Sequence, residues 1–172
     1  MTAEPTLQVE RDLHIEARPE IVFGFFTDAA QLLRWQGIEA TLDPAPGGEY
    51  RVLLNGQGDT IAGRFVEVVP HSRVVYTWGW EQGGVPGVGA GSTTVEVTLR
   101  PEGAGTRLRL VHRGLPAAPD VASSHLDGWS YYLLRLVEIA AGRTPDAEAH
   151  LEDMRTIEGA TARFDATFGD RG

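Results

Sequence analysis

Short stretches of alternating apolar and polar residues, separated by glycine-rich turns, fill residues 38–112, and one long amphipathic pattern follows at residues 120–141. Alternation with a period of two predicts strands, whereas apolar residues spaced three to four apart predict a helix. An antiparallel sheet that curves around a single helix is difficult to fill in its middle. The order of elements therefore predicts an α+β fold with a cavity between the sheet and the long helix.

The beginning of the chain predicts one strand followed by two short helices. Residues 7–16 alternate imperfectly and form a strand pattern, with an expected irregularity at residues 11–12. Pro19 ends this strand and opens a helix, because proline is tolerated in the first helical turn. Asp28 is a suitable N-cap for a second short helix over residues 29–35.

The middle of the chain predicts most of a curved antiparallel sheet of six to seven strands. Between two of these strands, residues 81–91 hold five glycines and one proline and are expected to form a long, exposed and flexible loop. Turn residues separate the strand patterns from one another. The strands expected here cover residues 49–54, 60–69, 74–80, 92–99 and 106–112.

The end of the chain predicts a buried helix and a helical extension. The helix at residues 120–141 carries a broad apolar stripe, and Arg135 and Glu138 are expected to lie off it. Residues 145–168 show weaker helical spacing, so their apolar side chains are expected either to cover the end of the cavity or to contact a second subunit. We therefore assign residues 1–142 to the main domain and residues 143–172 to a helical extension of that domain.

The composition excludes several classes of function. The 172 residues contain no cysteine and no lysine, which excludes disulfides, thiol nucleophiles and side-chain Schiff bases. The net charge of −9 opposes nucleic-acid binding. We expect no membrane span, because no apolar run is long enough, and the N-terminal residues lack the pattern of a signal peptide, so we expect a cytoplasmic protein. The histidines lack metal-ligand spacing, and we expect neither a metal nor another cofactor.

Three short motifs are distinctive: the turn Pro46-Gly47-Gly48, the segment Val69-Pro70 followed by Tyr76-Thr77-Trp78, and Gly128-Trp129 in the long helix. Together they resemble the AHSA branch of the START/SRPBCC superfamily, which includes proteins similar to activators of the heat-shock chaperone ATPase. The resemblance implies a helix-grip fold, in which an antiparallel sheet grips the C-terminal helix and leaves an apolar pocket. It implies function less strongly, because such proteins include lipid carriers, polyketide cyclases, hormone receptors and many small bacterial proteins of unknown role.

Aromatic side chains dominate the candidate ligand site, because they combine a large apolar area with a polar tip. His112 and His125 could also approach each other as a general acid and base. The alternative, which we prefer, gives His112 ordinary strand-end hydrogen bonds and places His125 on the surface. The residues expected to line the cavity are Trp35, Tyr50, Tyr76, Trp78, Trp80, Leu110, His112, Trp129, Tyr132 and Leu133.

Three hypotheses about function follow. The first is a binding protein for a small apolar or aromatic molecule, homodimeric through its C-terminal segment. The second is an enzyme of the polyketide cyclase or aromatase type, a cyclase or dehydratase without metal or cofactor, with His112, Tyr76 or Tyr132 transferring protons. The third is an interaction module like the chaperone activators, which predicts an exposed apolar patch on the outer face of the sheet or on the loop at 81–91. We favour binding over catalysis.

Overall fold

The computed structural model describes residues 5–143, 157 and 159–169. These residues form eight strands and four helices, and the α+β class is confirmed. The elements are β1 (Thr6–Ile15), α1 (Pro19–Thr27), α2 (Ala29–Leu32), β2 (Glu39–Leu42), β3 (Glu49–Leu53), β4 (Thr60–Val69), β5 (Arg73–Trp78), β6 (Trp80–Gln82), β7 (Thr93–Glu102), β8 (Gly105–Pro116), α3 (Pro119–Ala140) and α4 (Ala160–Phe168).

The strands form one antiparallel sheet in the order β1-β8-β7-β5-β4-β3-β2, and β6 pairs with β4 beside this path. The sheet has eight strands because β2 adds to the six strands located in the sequence and the strand expected at residues 74–80 is divided at Gly79. A side chain at position 79 would meet the carbonyl oxygen of Gly89 at 1.7 Å from its Cβ, so the close approach of the two backbones requires glycine. Trp80 thereby begins a short separate strand that is bridged to Gly89.

The two short helices between β1 and β2 are confirmed. Pro19 lies in the first turn of α1, and the Asp28 side chain accepts a hydrogen bond from the Gln31 backbone N–H at 3.1 Å to cap α2. The prediction of an irregularity at residues 11–12 is wrong, because the bulge of β1 lies between Leu7 and Val9.

The hydrophobic core lies between the sheet and the helices α1 and α3. The expectation that Arg135 lies off the buried face of α3 is wrong. Arg135 is 8% exposed, and its Nε donates to the backbone carbonyl of Trp35 at 3.4 Å. The side chain reaches a carbonyl just beyond the end of α2, so a hydrogen bond accompanies the burial of its charge.

The last helix packs on this same chain. Ala160 and Phe164 of α4 are buried, and the Arg11 guanidinium on β1 lies 4.4 Å above the Phe164 ring. Arg11 also forms an ion pair with Asp165 at 3.3 Å. The apolar face of α4 therefore rests on the main body of the protein, while residues 144–156 of the expected extension lie outside the described part. The division at residue 142 stays a prediction.

The outer face of the sheet carries arginine–carboxylate ion pairs. Arg73 contacts Glu67 and Glu96 at 3.0 Å each, and Arg113 reaches the same Glu96 carboxylate at 2.8 Å. Arg107 pairs similarly with carboxylates of neighbouring strands. This face is polar and solvated, as one side of an antiparallel sheet often is. None of the helices in the described part combines the length and the apolar character that a membrane span requires.

The glycine-rich loop between β6 and β7 is largely exposed, as expected, but it is held to the rest of the protein at two points. Val88 is 1% exposed, and its carbonyl accepts a hydrogen bond from the Trp80 N–H at 2.7 Å. The Gly91 N–H donates to the carbonyl of Ala62 at 3.0 Å. The loop is therefore anchored on both sides, and it lies against one end of the space between the sheet and α3.

Candidate functional site

A cavity of about 340 Å³ lies between α3 and one end of the sheet. One wall is the face of α3 that contains His125, Trp129 and Tyr132, and the opposite wall contains Trp78 and Trp80. The remaining lining residues come from the chain after α2, the β3–β4 turn, the glycine-rich loop, α3 and the segment before α4. They are Gln36, Leu54, Asn55, Asp59, Gly84, Val85, Ser124, Gly128 and Ile157.

Three indole rings form most of the apolar wall. The ring centroids of Trp78 and Trp80 are 5.2 Å apart in an edge-to-face arrangement, and those of Trp78 and Trp129 are 6.4 Å apart. These spacings are typical of attractive aromatic pairs. The wall therefore presents flat apolar surfaces that are held in place by their mutual contacts.

His112 lies directly behind this wall and has both ring nitrogens engaged. Trp129 Nε1 donates to His112 Nδ1 at 3.0 Å, so the neutral ring carries its proton on Nε2. That nitrogen lies 2.7 Å from Thr93 Oγ1 and donates to it, and the Thr93 hydroxyl in turn donates to the Trp78 carbonyl at 2.6 Å. Burial, with a smaller contribution from nearby His125, lowers the pKa of His112 to about 3. This histidine is a neutral structural group.

His125 is 5% exposed, so the expectation that it lies on the surface is wrong. Its Nδ1 lies 2.6 Å from the Val121 carbonyl, which can only accept, so the proton sits on Nδ1. Its Nε2 accepts a long hydrogen bond of 3.4 Å from Trp80 Nε1. Burial lowers the pKa of His125, and the ring presents a neutral acceptor nitrogen within the cavity wall. The rings of His125 and His112 are 5.6 Å apart.

Polar groups occur at several points of the cavity. Asn55 Nδ2 donates to Asp59 at 2.8 Å in the β3–β4 turn. Burial raises the pKa of Tyr132, so this residue is a neutral phenol. Gln36 Oε1 and Trp78 Nε1 are buried and have no hydrogen-bond partner among the described residues. One acceptor and one donor of the lining residues therefore lack a hydrogen-bond partner within the described part of the chain.

Four of the ten residues proposed for the cavity line it: Trp78, Trp80, Trp129 and Tyr132. His112 lies behind them. The other five are packed into the core, each with an exposed fraction of 1% or less. Whether any of the ten contacts a ligand stays a prediction. The core residues are Trp35, Tyr50, Tyr76, Leu110 and Leu133.

The buried aromatic residues away from the cavity have structural contacts instead. Trp35 Nε1 donates to the carbonyl of Phe25 at 2.9 Å, which ties α1 to the end of α2. The rings of Tyr50 and Tyr76 stack with centroids 4.1 Å apart. Burial raises the pKa of both phenols, so neither ionises near neutral pH. Neither tyrosine is among the lining residues of the cavity.

The residues expected to line the cavity left out His125, Gln36 and Asp59, although His125 had been considered as a partner of His112. His125 precedes Trp129 by one helical turn, so the two residues share a face of α3, and this spacing was the available signal. Gln36 and Asp59 had no comparable pattern. Within the described residues, no group of three histidine, aspartate or glutamate side chains is placed to hold a metal ion.

The sequence of this chain matches a known protein family over most of its length. The family model described as "Activator of Hsp90 ATPase homolog 1-like protein" matches residues 16–141. This chain belongs to that family. The resemblance to the AHSA branch of the START/SRPBCC superfamily is therefore confirmed, and the sheet packed on α3 is the helix-grip fold of AHSA1-like proteins. Comparison with curated protein sequences gave no match.

Solved structures extend this AHSA1-like assignment. The solution structure of an AHSA1-like protein from Rhizobium etli is 41% identical, with 86% of this chain and 91% of that chain covered and a TM-score of 0.67. The Aha1 dimer from Colwellia psychrerythraea is 19% identical, covering 78% of this chain and 96% of that one, with a TM-score of 0.67. DynU16, a protein of the dynemicin biosynthetic locus, is 20% identical. The match covers 80% of this chain and 48% of that one, also with a TM-score of 0.67. The last two likenesses concern the fold alone.

Proposed function

We propose that this AHSA1-like protein binds a compact, flat aromatic molecule in the cavity between α3 and the sheet, and that it does so in the cytoplasm. The observation that carries the proposal is the wall of three indoles, Trp78, Trp80 and Trp129, around a space of about 340 Å³. This volume lies near the lower end of the roughly 300–1,000 Å³ typical of ligand pockets. At about 30 Å³ per water molecule, the space corresponds to on the order of ten waters.

The placement of the ionisable side chains supports binding over proton transfer. Both nitrogens of His112 are engaged in hydrogen bonds inside the protein, and Tyr76 is not among the lining residues of the cavity. Of the three residues proposed to transfer protons, only Tyr132 lines it. The raised pKa of Tyr132 suits a hydrogen-bond donor more than a base. A polyketide cyclase activity therefore has less support than binding.

The surface also gives less support to a protein-interaction role. The outer face of the sheet carries ion pairs around Arg73, Arg107 and Arg113 where an apolar patch was expected. The exposed large apolar side chains of the described part are distributed over β1, α1, the approach to β2 and β4. They are Leu7, Ile21, Ile38, Val66 and Val69.

A homodimer is a separate part of the proposal. A fold neighbour from Colwellia psychrerythraea is a dimer, which supports a similar assembly here. Because Ala160 and Phe164 of α4 are buried against this chain, a contact through the C-terminal segment would use its other residues. Size-exclusion chromatography with light scattering is expected to give twice the 18.6 kDa chain mass, and a monomer at all concentrations would contradict the dimer.

Calorimetric titration with 2-methoxynaphthalene, a flat neutral probe, tests the binding proposal. Gly128 on α3 lines the cavity, and a Cβ at this position meets open space. Gly128→Phe is therefore expected to fold, to occupy part of the cavity and to weaken probe binding at least tenfold. Gly24→Phe is the matched control, because Gly24 is also a helical glycine with open space around its Cβ but lies on α1 away from the cavity. Equal probe affinity in the two variants would show that the probe binds elsewhere and would overturn the proposal.

A further inference from the structure

The His125 side chain is held so that its Nε2 points to Trp80, another residue that lines the cavity. Its Nδ1–H donates to the Val121 carbonyl one turn earlier in α3 at 2.6 Å, which fixes both the ring orientation and the tautomer. The ring is surrounded by aromatic groups, with Trp78 at 5.4 Å and Trp80 at 6.3 Å between centroids. Nε2 is therefore an oriented acceptor in apolar surroundings.

The hydrogen bond that Nε2 accepts from Trp80 Nε1 is weak. The separation of 3.4 Å from Trp80 Nε1 exceeds the roughly 2.9–3.0 Å of an ordinary N–H hydrogen bond. Trp80 lies on the three-residue strand β6, between Gly79 and the glycines of the following loop. A Cβ on Gly84 would lie 1.9 Å from the Trp80 ring, so this ring depends on an unsubstituted neighbour for its position. A small shift of the indole would make room for one ligand atom.

We propose that a hydroxyl group on the ligand donates to His125 Nε2, so that the cavity selects neutral hydroxyaromatic molecules over aromatic molecules without that donor. The inference rests on the proposed function and names its ligand class. One hydroxyl oxygen can donate to Nε2 and accept from the Trp80 N–H, which satisfies both groups at once. An ether oxygen or a carboxylate brings no proton, so Nε2 keeps only its long hydrogen bond from Trp80 Nε1.

Gln36 Oε1 is a competing acceptor, because it is buried and has no partner among the described residues. It lies next to Trp35, whose carbonyl contacts Arg135 ten positions after His125 on α3. Ten helical residues span about 15 Å along the helix axis. Gln36 and His125 line the same cavity from different elements, and variants of each distinguish which one a ligand hydroxyl uses.

The test compares 2-naphthol with 2-methoxynaphthalene, two neutral probes that share a ring system and differ in the hydroxyl proton. One hydrogen bond of ordinary net strength corresponds to a preference of about 3- to 10-fold, so the native protein is expected to prefer 2-naphthol by this factor in calorimetric titration. His125→Phe is expected to remove the preference, so that its affinities for the two probes differ by less than about twofold. Gln36→Met is the matched control and is expected to keep the preference.

The outcomes separate this inference from the proposed function. A preference that survives in His125→Phe, or that disappears only in Gln36→Met, overturns the assignment to His125. Equal affinities of the native protein for both probes overturn the hydroxyl inference and leave cavity binding intact. Absence of binding by either probe overturns both.

A second measurement needs no substitution at this buried position. In the native protein, the ¹⁵N resonance of the unprotonated Nε2 of His125 is expected to move upfield on addition of 2-naphthol, because its lone pair gains a stronger donor. With 2-methoxynaphthalene it is expected to stay in place. An Nε2 resonance that responds equally to the two probes overturns the inference even if His125→Phe does not fold.

Discussion

Replacing His112 with phenylalanine removes the centre of the hydrogen-bond chain behind the cavity and keeps an aromatic ring in place. Trp129 Nε1 then loses the acceptor that it reaches at 3.0 Å, and Thr93 Oγ1 loses the ring nitrogen at 2.7 Å. A buried donor left without its acceptor costs about 1–3 kcal/mol. The larger phenyl ring in a packed site adds about 1 kcal/mol. We expect the free energy of unfolding at neutral pH to fall by about 2–4 kcal/mol.

The pH dependence of this loss distinguishes hydrogen bonding to a neutral imidazole from packing alone. Burial lowers the pKa of His112 to about 3, whereas a histidine in the unfolded chain has a pKa of about 6.5. Between these values the unfolded chain binds a proton that the folded protein does not. The free energy of unfolding is therefore fully retained above about pH 6.5 and decreases as the pH falls towards 3, by up to about 1.4 kcal/mol per pH unit.

This dependence of the unfolding free energy on pH comes from His112, so the native protein has it and His112→Phe does not. The native protein is expected to lose about 2 kcal/mol through His112 between about pH 6.5 and pH 5. The difference in unfolding free energy between the two proteins therefore narrows from about 2–4 kcal/mol at pH 7 to about 0–2 kcal/mol at pH 5.

Urea unfolding followed by far-ultraviolet circular dichroism at several pH values measures both quantities by linear extrapolation. His14→Gln is the control for loss of an imidazole outside the core, because His14 is half-exposed in a surface pair with Glu102. It is expected to cost less than about 1 kcal/mol at neutral pH. A difference between the native protein and His112→Phe that stays constant from pH 7 to pH 5 would refute the neutral, buried imidazole.

Two further predictions concern the loop and the last helix. Gly84→Ala is expected to displace the Trp80 ring and to weaken binding of the naphthalene probes, because its Cβ would lie 1.9 Å from that ring at a φ of +69°. Gly89→Ala in the same loop meets open space and is expected to leave probe affinity unchanged in the same titration. Arg11→Leu is expected to speed hydrogen exchange of the α4 amides, since Arg11 contacts the Phe164 ring at 4.4 Å. Unchanged exchange in α4 would show that other contacts hold this helix.

The fold was largely predictable because the spacing of apolar residues differs between strands and helices. The alternation at residues 60–69 predicted β4 with the bounds that the structure shows. The split after β5 was not predicted, because it depends on the close approach of Gly79 to Gly89 rather than on an apolar pattern. Such contacts join residues that are distant in sequence.

The candidate site was predictable in its apolar part. Strand parity and helical spacing placed Trp78 and Trp129 on inward faces, and both line the cavity. The same parity placed Tyr76 on the face of Trp78, and Tyr76 is packed in the core with no part in the lining. Periodicity indicates which face is buried but carries no information on whether that face meets packed side chains or open space.

The polar part of the site was not predictable for a different physical reason. His125 and Arg135 are buried because each donates to a backbone carbonyl, of Val121 and Trp35 respectively. A hydrophobic pattern counts such residues as solvent-facing. Their burial becomes visible only when the positions of those carbonyls are known.

The distribution of the indoles has an optical consequence. Of the four tryptophans in the chain, Trp78, Trp80 and Trp129 line the cavity, whereas Trp35 is buried in the core with no exposed area. The intrinsic fluorescence of the protein therefore originates largely from the surface that a guest molecule would touch. Emission from Trp35 provides a constant background, so occupancy of the cavity can be followed without any label.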